Sequence, residues 1–233
     1  MWVFPLAAAL VAAVFAAALG RRFLQRRQIY LAVWCAALVM YAAASFAVAA
    51  GAFAGWSRTL FEIYWALGAV LNVPLLAAGE LQLLGRDRLL HGAIWVVLAF
   101  VFAYTIAVTR GAEVDAVALA ERLPSGKEVF GDGTAAHRLP QLISIPSYLV
   151  LVAGAAWSAW RMRGRRDLRD RFVGTLLIVA GATITASAGS AFAALGNLPA
   201  FSLSLLAGVA VMFAGFLRAT RAPSRERSEA PPS

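Results

Sequence analysis

One lysine, one cysteine and two histidines are all that 233 residues carry of these three types, and each shortage removes a chemistry. A retinal held through a Schiff base needs a lysine in the last apolar run, whereas Lys127 lies in a polar connection. Cys35 stands alone, which excludes a disulfide framework, a CxxC pair and a thiolate metal cluster. Its expected role is a small apolar packing residue. A haem between helices and a multi-histidine metal site need histidines that meet, and an intramembrane Ser/His pair needs a histidine inside an apolar run. His91 opens the fourth apolar run and His137 precedes the fifth. Consecutive spans start from opposite sides, so the two are kept apart. No HExxH, GxSxG or Walker sequence occurs. Aspartate is missing from every long apolar run, so Gly131-Asp132-Gly133 cannot supply half of an intramembrane aspartyl pair. The sequence thus offers no cofactor site, no metal site and no catalytic motif.

Apolar sequence is what the chain has in excess. Hydrophobic residues make up 61%, above the range of soluble domains. Seven runs are long enough to cross a hydrocarbon core of about 30 Å: Trp2 to Gly20, Ile29 to Ala50, Leu60 to Leu84, Gly92 to Thr109, Leu139 to Trp160, Phe172 to Leu195 and Pro199 to Leu217. A spanning helix satisfies its own backbone hydrogen bonds, so the expected fold is all-α, a polytopic bundle of seven transmembrane helices. The net charge of +9 is sorted along the chain. Alternate connections hold 16 of the 21 basic residues: Arg21 to Arg27, Arg86 and Arg88, Arg161 to Arg171, and Arg218 to Arg227. The other set has Arg58, Arg110, Arg122, Lys127 and Arg138, diluted by Glu113, Asp115, Glu121, Glu128 and Asp132. The positive-inside rule makes the first set cytoplasmic, the N-terminus external and the C-terminus internal. The location implied is the cell inner (plasma) membrane. Basic clusters beside the spans suit anionic headgroups, not nucleic acid. No basic residue precedes the first run and four follow it, the reverse of a secretory signal, so the run is expected to stay as an N-out helix.

Residues 1–218 are read as one transmembrane domain with a long outer loop at 110–138, and residues 219–233, rich in Pro, Ser and charge, as a disordered cytoplasmic tail. Within the loop a short helix is expected over Glu113 to Leu123, ended by Pro124, with turns at Ser125-Gly126 and Gly131-Asp132-Gly133. Such a loop is either a lid or a spacer. A shift of 140 residues lays Arg21 on Arg161 and Arg26 on Arg166, but Pro140-Gln141 has no counterpart in the first run, so no parallel repeat is assigned.

Polar residues inside spans mark candidate sites. The third run carries Glu62, Asn72, Pro74 and Glu80. Glu62 and Glu80 are 18 residues apart, five ideal turns and about 27 Å, so they are expected on one face with Ala66, Ala69, Val73 and Ala77 between them. Arg58 is placed to pair with Glu62, and Arg86 or Arg88 with Glu80. Pro74 frees a carbonyl near the midplane that Asn72 can satisfy, unless the amide binds a polar ligand. Gln141, Ser144 and Tyr148 in the fifth run, and Thr183, Ser187 and Ser190 in the sixth, either line a polar cavity with Asn72 or join helices by hydrogen bonds. Ser204, Gly208 and Gly215 form a small-residue packing pattern, with Met212 in the core. Tyr64 and Trp65 suit an interfacial aromatic belt.

The stretches Tyr64-Trp65-Ala66-Leu67-Gly68-Ala69-Val70-Leu71-Asn72-Val73-Pro74, Leu123-Pro124-Ser125-Gly126-Lys127-Glu128-Val129 and Phe213-Ala214-Gly215-Phe216-Leu217 resemble those of a family of bacterial seven-helix integral membrane proteins. The resemblance implies the topology and no activity. Two functional readings stay open: a small-molecule-binding sensor or carrier with its site between the third, fifth and sixth helices, and an accessory or assembly subunit that binds other membrane proteins.

Overall fold

The computed structural model describes residues 2–85, 87–164 and 168–221, and among these it is helical without strands. Seven helices are long and apolar enough to cross a membrane: α1 (Val3–Arg26), α2 (Ile29–Ala54), α3 (Arg58–Leu84), α4 (Arg88–Gly111), α5 (Ala135–Met162), α6 (Arg169–Ala194) and α7 (Leu198–Thr220). Residues 222–233, most of the expected tail, lie outside the described residues, and α7 carries helix to Arg221.

Several helices outrun their apolar stretch, because hydropathy marks where apolar residues stop and capping chemistry marks where a helix stops. Ser57 Oγ accepts from the Leu60 N–H at 3.2 Å and starts α3. Asp87 Oδ1 accepts from the Leu89 N–H at 3.0 Å and starts α4. Thr134 Oγ1 accepts from the His137 N–H at 3.3 Å, so α5 begins at Ala135 and not at Leu139. Arg27, in the left-handed region at φ 53°, closes α1 by donating to the Phe23 carbonyl at 2.7 Å.

α1 packs along α2 and against α7, α6 lies along α7, and α5 bridges α6 to α3. The Tyr41 hydroxyl donates to the Leu205 carbonyl at 2.8 Å and ties α2 to α7. α3 is the most buried span, while α4 is peripheral, packed on α3 and on the first turn of α5. Cys35 donates to the Ala16 carbonyl at 3.2 Å within the α1–α2 contact.

α6 and α7 meet backbone to backbone. Gly174 faces Gly215 and Gly181 faces Gly208: a Cβ on Gly174 would stand 2.6 Å from the Gly215 carbonyl oxygen, and one on Gly208 2.8 Å from that of Gly181. Two glycines seven residues apart on each antiparallel helix remove the side chains that would hold the axes apart. Met212 is buried in this seam, as expected.

The long loop is a packed structure. Leu119, Leu123, Val129 and Phe130 are buried, and Phe130 joins Phe61 and Trp65 in an aromatic cluster, with ring centroids 5.4 Å and 5.7 Å away. Gly126 lies flat on the Trp65 ring, where a Cβ would overlap it. Trp65 and Tyr64 are therefore core residues, not members of an interfacial belt. The helix expected over Glu113 to Leu123 is cut to Ala116–Leu119. Asp115 is extended, pairs its N–H with the Val129 carbonyl at 2.9 Å and caps the Val117 and Ala118 amides. Where a turn was expected at Ser125-Gly126, a second short helix runs from Gly126 to Phe130. Ser125 accepts from the Glu128 N–H, and its hydroxyl donates to Glu128 Oε2 at 2.6 Å, a capping arrangement. The turns at Gly131 and Gly133 do form, both at positive φ. Beside them Lys127 Nζ stands 3.2 Å from Asp132 Oδ2 and holds that carboxyl below its ordinary pKa range.

Replacing Gly181 with leucine should force α6 off α7. Overpacking of this kind costs roughly 1–3 kcal/mol, read as a fall of several degrees in Tm in detergent. Gly92→Leu, where a Cβ meets nothing within 4 Å, should leave Tm nearly unchanged.

Candidate functional site

Proline shapes the α3–α5 contact. Pro74 has no N–H to give to the preceding turn, and the stretch before it, Tyr64–Leu71, opens into a π-helix. The carbonyls of Ala69 and Val70 are the ones left over, and the Ser144 hydroxyl of α5 lies 2.7 Å and 3.0 Å from them. α5 has the same problem. Pro140 leaves the Ala136 carbonyl without its helical donor, and the Trp65 indole N–H of α3 supplies one at 3.1 Å. Each helix thus donates to the carbonyls that the other's proline has freed.

The remaining candidates are spread over separate contacts. Asn72 does not turn to the carbonyl freed by Pro74; its Nδ2 donates to the Ala37 carbonyl of α2 at 2.6 Å and is buried there. Gln141, its amide nitrogen turned toward the His137 and Arg138 carbonyls at 3.1 Å each, bonds within its own helix. The Tyr148 hydroxyl donates to Thr183 Oγ1 at 2.7 Å, and Thr183 in turn donates to the Val179 carbonyl at 2.8 Å, which links α5 to α6. Ser187 donates to the Thr183 carbonyl at 2.6 Å from an exposed position, and Ser190 is exposed as well. Ser144, Tyr148 and Thr183 belong to helix contacts, Asn72 faces a different neighbour, and Ser187 and Ser190 point outward. These residues do not converge on one cavity.

The two glutamates also part company. The wider turns of the π segment break the 3.6-residue phase assumed for one shared face, so Glu62 turns toward α4 and Glu80 toward α5. Glu62 Oε1 is 2.7 Å from Arg58 Nε, and Oε2 is 3.5 Å from Arg110 Nε. Arg58 donates further to the Arg110 and Ala112 carbonyls at 3.0 Å and 3.2 Å. That clamp caps the end of α4 and fixes the start of the loop. Glu80 is 5% exposed and accepts from the Ser158 hydroxyl at 3.2 Å. It lies over Gly154, where a Cβ would come within 2.7 Å of its Cγ. Of its expected partners, Arg86 lies outside the described residues. Among the described residues no basic side chain forms an ion pair with Glu80.

Sequence reasoning passed over three residues that matter here, Trp34, Gly154 and Ser158, and placed Trp65 in an interfacial belt instead of in the α3–α5 contact. The Trp34 indole N–H donates to the Leu76 carbonyl at 3.1 Å, in space left by Gly79. The Gly154-x3-Ser158 spacing was the available signal for a helix face that admits a carboxylate.

Ser144→Ala leaves two carbonyls without a donor in an apolar contact and should cost about 1 kcal/mol, a Tm loss of roughly 2–4 °C for a chain of this size. Ser187→Ala, exposed and bonded within its own helix, should shift Tm by less than a degree. We find no match between this chain and a protein-family model, a curated protein or a solved structure.

Proposed function

We propose that the chain is a multi-pass protein of the cell inner (plasma) membrane, N-terminus outside and C-terminus in the cytoplasm, and that it acts as an accessory or assembly subunit of a membrane protein complex. The orientation rests on charge. Arg26, Arg27, Arg88, Arg161 and Arg163 flank one set of helix ends, and the mixed-charge loop joins the other set. In a Cys35→Ala background, Glu113→Cys should react with a membrane-impermeant maleimide in intact cells, and Arg163→Cys only after lysis. Labelling in the reverse order would invert the topology.

The observation that carries the subunit reading is how the polar side chains of the interior are used. Ser144, Tyr148, Asn72, Thr183, Trp65 and Trp34 all hold helices together, so the bundle works as a scaffold. α4, held mainly by α3, offers the rest of its surface outward, including Trp95, Phe100 and Tyr104. Aromatic residues are enriched where protein surfaces meet. A photo-crosslinking residue at Phe100 should yield one discrete protein adduct in cells, and the same residue at Leu149 on α5 should not. Adducts to lipid alone at both positions would defeat the reading.

A small-molecule-binding sensor or carrier is the second reading, favoured by Glu80. A carboxylate inside a span is costly and marks function by default. A small adduct seen by native mass spectrometry and lost in Glu80→Gln would move the assignment to that reading.

A further inference from the structure

The inside of the α2–α3–α4 contact is not filled. A groove of about 360 Å³ runs between α2 and α4 with Leu75 of α3 as its floor. On α2 it is shallow-walled because Ala32 and Ala36 are small; on α4 it is bounded by Trp95, Ala99 and Phe102. It extends along the helix axes from Ile29 to Ala36 and from Trp95 to Phe102, seven residue steps or about 10 Å on each wall. That volume over that length is less than a partner helix roughly 10–12 Å across would fill and is enough for extended hydrocarbon. Its lining residues are all apolar, which leaves a polar metabolite nothing to bond to.

The chemistry at the end of the groove identifies the rest of the occupant. Ile29 is the first residue of α2 and stands two positions after Arg27, with Arg26 and Arg27 both exposed; Arg88, exposed, opens α4 two turns before Trp95. The N-terminus of α4 brings its partial positive charge to the same end. Asp87, the cap of that helix, is the acid among these residues, and the His91 ring is held at the Gly85 carbonyl, 3.2 Å away. Cationic side chains above an apolar slot complement an anionic headgroup above an acyl chain.

We propose that the α2–α4 groove is a binding site for one anionic phospholipid, its acyl chain in the slot and its phosphate beside Arg27 and Arg88. This goes beyond the subunit reading and stands whether or not a protein partner exists.

The test is native mass spectrometry of the full chain released from nanodiscs of equal phosphatidylcholine and phosphatidylglycerol, with collision energy raised in steps. The last lipid retained should be phosphatidylglycerol, at least fivefold over phosphatidylcholine. Ala36→Trp, which fills the slot from an exposed position, should remove that lipid with Tm unchanged. Ala99→Phe does the same from the opposite wall should the first variant fold poorly. Arg27→Ala with Arg88→Ala should leave a lipid bound and abolish the headgroup preference. Equal retention of both lipids by the unmodified chain, or undiminished retention in both slot-filling variants, would overturn the proposal. So would a dimer that either slot-filling variant dissociates, because a second copy would then be the occupant.

Discussion

Backbone carbonyls that proline has deprived of a donor are the constraint around which the bundle is organised. In hydrocarbon an unsatisfied carbonyl has no water to turn to and costs more than in a soluble protein. Pro74 and Pro140 each create such groups, and α3 and α5 settle both by exchange: Ser144 reaches Ala69 and Val70, and Trp65 reaches Ala136. Because the donors and acceptors lie on different helices, the exchange also fixes the register of α3 against α5. The long loop inherits that register. Trp65, held at the start of α5, is the surface on which Gly126 and Phe130 rest.

The opposite flank of the bundle is built by a different economy. Among the described residues α6 and α7 share the Arg218–Asp170 ion pair at 3.3 Å at their ends and gain contact area along their length by bringing their backbones together at Gly174/Gly215 and Gly181/Gly208. Glycine is unfavourable in a helix in water, but in a membrane helix formation is already assured by the solvent, so its cost falls and its value as a close-approach residue remains. One side of the molecule is thus specified by directional hydrogen bonds and the other by steric fit. α4, which has little of either, is with α5 and α6 among the spans that leave most of their surface outward.

The spans themselves were legible because each depends on one variable, the length of an apolar run, and that variable is local. The Gly208 and Gly215 spacing was legible for the same reason. Helix ends were misjudged by several residues where a cap lay beyond the apolar run, as at Thr134, and the loop helix was overestimated because Asp115 is pulled into an extended pairing with Val129, fourteen residues on. The site was harder. Pro74 was recognised as freeing a carbonyl, yet Asn72 was the expected donor and Ser144 of another helix is the actual one. The shared face of Glu62 and Glu80 was read with a constant 3.6-residue period, and the π segment between them makes that period wrong. Both errors have one origin: a proline's consequences are settled by whichever neighbour can donate, and sequence spacing along one helix does not contain the neighbour.

Glu62 and Glu80 show what burial means when partners are counted. Both are nearly inaccessible, so burial alone would rank them equally. Glu62 is met by two arginines, and Arg58 spends further hydrogen bonds on the carbonyls at the end of α4. The carboxylate there is compensated within the protein by the two guanidinium groups, and the arrangement is a clamp. Glu80 meets a neutral hydroxyl over a glycine. A single hydroxyl cannot compensate an ionised carboxylate in a low-dielectric surround, so among the described residues the α3–α5 contact partners the Glu80 carboxyl less completely than the arginines partner that of Glu62. That difference, and not depth in the membrane, is what sets Glu80 apart from Glu62 among the described residues.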